Sequence, residues 1–236
     1  MAHKNARATA VMVFVLSLFP FVGFSQSHGK EAKIEAALGR VTDAGEVIKA
    51  VLALPEGKGI PKEVRERASM LGVLTEAGQT KVLLTKAVAG KGISVLRQKD
   101  GRWSLPAFFS MSQVTNYASF GASKKRFAII LVTTNLTLDD KGKKVKNKPA
   151  ADEDKERSYA WTFADGEMKE LTLNGTGFLT AFAGMSTNLM YDKSLNKAFY
   201  SAKGDDILLN KIDISKAYPS ELITYRDLIQ GLLPKK

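Results

Sequence analysis

Over residues 31–54 the apolar side chains Ile34, Ala37, Leu38, Val41, Val47, Ile48, Val51 and Leu52 recur at three- and four-residue steps. That spacing gathers them into one stripe and predicts an amphipathic helix packed on a core. The opposite face mixes Glu31, Lys33, Glu35, Arg40, Asp43, Glu46 and Lys49. Charges of both signs at those steps suit a solvated face laced by ion pairs rather than a basic helix lying on a membrane. Pro55 and the glycines at 57 and 59 end the helix, and Pro61 is expected to open a second short one reaching Met70, because proline suits a first helical position.

Beyond Leu71 the period shortens. Strands are expected around residues 81–84, 92–96, 108–111 and 127–134, separated by glycine and polar turns,. Gln98-Lys99-Asp100-Gly101 is a hairpin turn, since Asp-Gly tolerates positive φ,, and it sets residues 93–97 antiparallel to 103–109. Further strands at 159–163 and near 170–173 flank a turn at Asp165-Gly166. Residues 175–186, small and apolar with close-spaced glycines, suit a tightly packed or sharply curved strand,. Ser220 is expected to cap a last helix carried by Leu222, Ile223, Leu228 and Leu232,. The class this predicts is α+β: N-terminal helices packed on a mainly antiparallel, strongly curved or barrel-like sheet, with a short C-terminal helix.

At the N-terminus, Lys4 and Arg7 precede an uncharged apolar run over residues 8–19 that Pro20 breaks. Gly23 and Ser25 then supply the small side chains a signal peptidase accepts before a cut ahead of Gln26,. The expected organisation is a signal peptide at 1–25 and one domain at 26–236, placed in the periplasm or secreted. An uncleaved anchor is the weaker reading, because the run falls short of the ~20 residues that span a bilayer. Residues 139–157 are almost wholly polar and predict an exposed charged loop,.

The chemistry is narrowed by what the chain lacks. It has no cysteine, and its two histidines, His3 and His28, both lie near the N-terminus. That argues against Ser-His-Asp and Cys-His catalysis and against the common zinc sites, so no catalytic residue, cofactor or metal is expected. A carboxylate-only hydrolase built on Asp205-Asp206 or Asp139-Asp140 stays open as a third reading,, although neighbouring residues of a strand point to opposite faces. Gly90-Lys91-Gly92 lacks the rest of a nucleotide fingerprint,; its glycines are expected to permit a turn leading into a strand at Ile93.

Charge points to the partner. The formal net charge of +11 calls for an anionic one,. Outside the cytoplasm nucleic acid is not expected, which leaves a phospholipid or membrane surface first and an acidic protein or polymer second. Two basic clusters are the candidate lipid contacts: Lys124, Lys125 and Arg126 before a strand, and Lys141, Lys143, Lys144, Lys146 and Lys148 in the polar loop. Near an anionic bilayer each such cation contributes about 1 kcal/mol.

Several strings occur in one order along the chain: Ile60-Pro61 with Ala68; Gly90-Lys91-Gly92-Ile93-Ser94-Val95-Leu96-Arg97; Trp103-Ser104-Leu105-Pro106-Ala107-Phe108; and Phe120-Gly121-Ala122 leading to Phe127 and Val132. Ala181-Phe182-Ala183-Gly184-Met185-Ser186 follows, then Asp192, Asn196 and Phe199-Tyr200. Together they resemble the SYLF lipid-binding domain family, with Trp-Ser-x-Pro-Ala-Phe the most specific part. The chain departs from that pattern at Ser123-Lys124-Lys125-Arg126, where the family commonly carries a polar, acidic stretch, so it resembles a divergent exported bacterial member. The resemblance implies a non-enzymatic domain that binds phospholipid membranes. Trp103 and Phe108 are expected to serve mainly as core anchors, residues alternating along a strand being able to bury one face. An envelope scaffold meeting an acidic partner is the alternative.

Overall fold

The computed structural model describes residues 24–82, 85–115, 127–136, 138–139, 155–170 and 189–233. It is α+β. Helix α1 (Phe24–Leu52) and the short α2 (Lys62–Arg67) lead into strands β1 (Ala68–Val82), β2 (Thr85–Leu96), β3 (Ala107–Thr115), β4 (Phe127–Thr134), β5 (Arg157–Ala164), β6 (Glu167–Glu170) and β7 (Leu189–Tyr191). Helices α3 (Lys193–Tyr200), α4 (Gly204–Leu208) and α5 (Ser220–Leu232) close the chain.

Of the expected stripe of α1, Ala37, Val41, Ile48 and Val51 are buried and Ile34, Leu38, Val47 and Leu52 half-buried; Ala44 is buried alongside them, and Lys49 pairs with Glu46 at 2.8 Å on the solvated side. Arg40 was expected on that side but is only 6% exposed. It stands three residues after Ala37 and four before Ala44, which places it on the packed face. The α1 helix packs on β1, β2 and α5, where Gly45 leaves room for Leu228.

Two helix starts differ from expectation. Pro61 and Pro219 are the cap residues, with ψ near 144° and 139°, and neither helix has a side-chain cap. Ser220 is therefore already helical, its hydroxyl turned to Glu221. An acidic residue in each first turn, Glu63 or Glu221, complements the helix N-terminus instead,. The second helix also stops at Arg67 rather than Met70, since Ala68 is extended and opens β1.

The seven strands form one sheet in the order β6-β5-β4-β1-β2-β3-β7, with every neighbouring pair antiparallel. Among the described residues it is open, with β6 and β7 at its edges. Residues 70–74, 92–96 and 128–134 are buried without interruption, so these central strands are covered on both faces. The Asp165-Gly166 turn has φ of 53° and 78° and joins β5 directly to β6, as a tight hairpin requires. β6 is described over Glu167–Glu170, and residues 171–173 of the expected strand lie outside the described residues. Residues 175–186 lie outside the described residues.

Candidate functional site

The 98–101 turn forms as the sequence predicts. Gly101 N–H donates to the Gln98 carbonyl at 2.9 Å, and Gly101 has φ of 87°. The hairpin then runs through an Arg97–Trp103 bridge into Ser94↔Ala107 and Ile93↔Phe108 pairs.

This folding buries Trp103, Ser104 and Phe108 at 1%, 0% and 0% exposure, so the expected core-anchor role of Trp103 and Phe108 holds. Their polar atoms are satisfied internally. The Trp103 indole N–H donates to the Leu233 carbonyl at 3.1 Å, and Arg97 donates to the same carbonyl at 3.0 Å. Those donors answer an orphan carbonyl at the end of α5. The Arg97 guanidinium also lies 4.8 Å from the Trp103 ring centre, a cation–π contact, and burial lowers its pKa. Ser104 Oγ accepts from Leu96 N–H at 3.0 Å.

Helix α3 locks onto the same string. Asp192 caps it by accepting from Leu195 N–H at 3.0 Å. Asn196 then pairs with the backbone of Phe108, the Phe199 ring stacks on Phe108 at 5.2 Å, and Tyr200 donates to the Pro106 carbonyl at 2.8 Å. Burial, followed by the neighbouring Tyr218, pushes the Tyr200 phenol well above its ordinary range. The 103–108 string and the 192–200 string are thus one structural unit, with Trp103 to Phe108, Leu195, Asn196, Phe199 and Tyr200 buried in it and the outer side of α3, at Lys193, Ser194, Lys197 and Ala198, exposed.

Outward from this anchor lies a surface groove of about 650 Å³. Leu96, Leu136, Leu138 and Leu209 give it apolar walls, while Arg97, Lys99, Lys211, Asp100 and Asp139 supply charge. Its walls are held in place. Gln98 donates to the carbonyls of Leu96 at 3.1 Å and Leu208 at 2.7 Å, tying the turn to the end of α4. Leu136 N–H donates to Ser69 Oγ at 2.9 Å. Asp100 is engaged by Arg102 at 2.6 Å.

Asp205 and Asp206 do not form a facing pair. Asp205 and Asp206 occupy the first turn of α4 rather than a strand, and successive helical positions diverge by about 100°. Gly204 lies against the Tyr191 ring, where a Cβ would overlap it. Burial and then the Asp205 charge raise the Tyr191 phenol. Asp205 is itself raised by desolvation and by Asp206, with Lys203 opposing. Asp139 lines the groove, and Asp140 lies outside the described residues.

Gly90-Lys91-Gly92 is not a turn but the middle of β2. Gly92 is required because β1 passes so close that a Cβ would overlap the Val73 carbonyl and sit 3.0 Å from Leu74 Cα,. Lys124, Lys125, Arg126, Lys141, Lys143, Lys144, Lys146 and Lys148 all lie outside the described residues. Lys211, Leu136, Leu138 and Leu209 were not singled out by sequence; only their convergence from separate segments marks them.

The class defined by these observations is an α+β protein on an open, antiparallel seven-stranded sheet. No protein-family model, curated protein or solved structure matches the chain.

Proposed function

We propose that this chain is an exported, non-enzymatic, SYLF-type protein that associates with anionic phospholipid headgroups through a basic surface. The observation that carries the proposal is the union of the two strings on which the resemblance rests. Trp103 to Phe108 and Asp192 to Tyr200 are distant in sequence but hydrogen-bonded through Asn196 and Tyr200. Such a unit suits a fold signature. The net charge of +11 supplies the attraction,, and its candidate carriers are Lys124, Lys125 and Arg126 with the lysines from 141 to 148.

The sheet is proposed to be strongly curved. Register shifts interrupt β1 between Leu74 and Gly78 on the β2 side and between Leu74 and Ala77 on the β4 side, and bulges bend and twist a strand.

Replacing Lys124, Lys125 and Arg126 by glutamate is expected to weaken binding to anionic vesicles by about a hundredfold or more, from about 1 kcal/mol per lost cation. Unchanged binding by the variant in vesicle co-sedimentation would remove these residues from the lipid-facing surface.

A further inference from the structure

We infer that the groove beside the 98–101 turn takes one anionic phospholipid molecule, its phosphate at the rim cations and the first part of its acyl chain along the leucines; this rests on the lipid-binding reading above. The volume of about 650 Å³ falls in the range of sites for single small molecules, about 300–1,000 Å³. Leu96 is buried, and Leu136, Leu138 and Leu209 are half-buried, while Lys99 and Lys211 are exposed. The apolar surface therefore lies deeper and the cations stand at the mouth.

Charge and polarity together select the occupant. Arg97, Lys99 and Lys211 line the groove together with Asp100 and Asp139, and Asp100 is also held by Arg102. A free phosphate would meet the cations but leave the leucines in water. An uncharged apolar molecule would cover the leucines but make no use of the rim. A phospholipid uses both. The walls come from β2, from the segment after β4 and from the segment after α4. The Gln98 and Ser69 hydrogen bonds fix them in advance, which lowers the ordering cost of binding.

The test is isothermal titration of the full chain with dioctanoyl-phosphatidylglycerol below its critical micelle concentration, alongside glycerol 3-phosphate and dioctanoyl-phosphatidylcholine. Saturable one-to-one binding of the phosphatidylglycerol is expected, with each comparison ligand at least about tenfold weaker. The exposed pair Lys99→Glu and Lys211→Glu should weaken it by about tenfold, and Lys99→Gln with Lys211→Gln by less, while thermal unfolding stays cooperative. Equal binding by the glutamate variant, equal binding of glycerol 3-phosphate, or no binding of the phosphatidylglycerol to the wild type would each overturn the groove. Vesicle co-sedimentation of the same proteins separates the two readings. Wild-type vesicle binding without lipid in the groove sinks only this inference, whereas lipid in the groove without vesicle binding sinks only the surface reading.

Discussion

The side-chain amide of Asn196 completes the backbone hydrogen bonding of Phe108, accepting from its N–H at 2.8 Å and donating to its carbonyl at 2.9 Å. Strand β7 pairs with β3 only at residues 109–111, so at Phe108 the amide stands where a neighbouring strand would. The Asp192 N–H donates to the same carbonyl at 2.9 Å. Asn196 has 0% exposure, which leaves no water to take over its role.

Asn196→Ala is therefore expected to cost about 2–4 kcal/mol, because it orphans a buried donor and removes a buried hydrogen-bond pair. Urea unfolding should show a lower midpoint with an unchanged slope. A loss below about 0.5 kcal/mol would mean that the α3–β3 junction does not hold the two strings together.

Tyr225 carries the opposite expectation. It is 2% exposed in the α1–α5 contact, and its hydroxyl finds no hydrogen-bond partner among the described residues. Burial accordingly drives its phenol pKa upward. Tyr225→Phe removes an unsatisfied polar atom while keeping the ring, so stability should stay level or rise by about 1–2 kcal/mol. Thermal unfolding of the variant checks this; a marked loss would reveal a partner for the hydroxyl.

Asp205 makes stability depend on pH. Desolvation, then Asp206, raises its native pKa above the ordinary carboxylate value, so the folded chain binds that proton more tightly than the unfolded one. Its contribution is present below the unfolded pKa and is lost as pH rises through the native value. Asp205→Asn is expected to raise the unfolding temperature at neutral pH and to change it little once both carboxyl forms are protonated. A benefit that grew toward low pH would contradict the raised pKa.

Much of the fold was legible because its signals are local. The 98–101 hairpin follows from Asp-Gly and the α1 stripe from side-chain spacing. The first half of β1 was missed because residues 70–74 are buried on both faces and show no alternation, leaving an apolar run that periodicity alone cannot assign. Arg40 departs from expectation because a charge need not mark the solvated face: its position lies in the packed stripe.

The candidate site was less legible. Asn196 and Phe108 stand 88 residues apart, and nothing local announces that a side chain will substitute for a strand. The groove joins leucines from three segments, so its apolar floor exists only after folding. At Gly92 the sequence suggests turn chemistry, but what demands glycine is the close approach of the paired strand β1, which no neighbouring residue encodes.

The most direct test of lipid association is co-sedimentation of the full chain with phosphatidylcholine vesicles and with vesicles containing phosphatidylglycerol, at low and at physiological salt. The N-terminal segment adds only Lys4 and Arg7 beside its apolar run, so most of the difference between vesicle types reports the rest of the basic surface. Binding selective for phosphatidylglycerol and weakened by salt is the predicted result, since exposed charges are screened over about 8–10 Å at 0.10–0.15 M salt. Equal binding to both vesicle types, or binding to neither at low salt, would contradict the account.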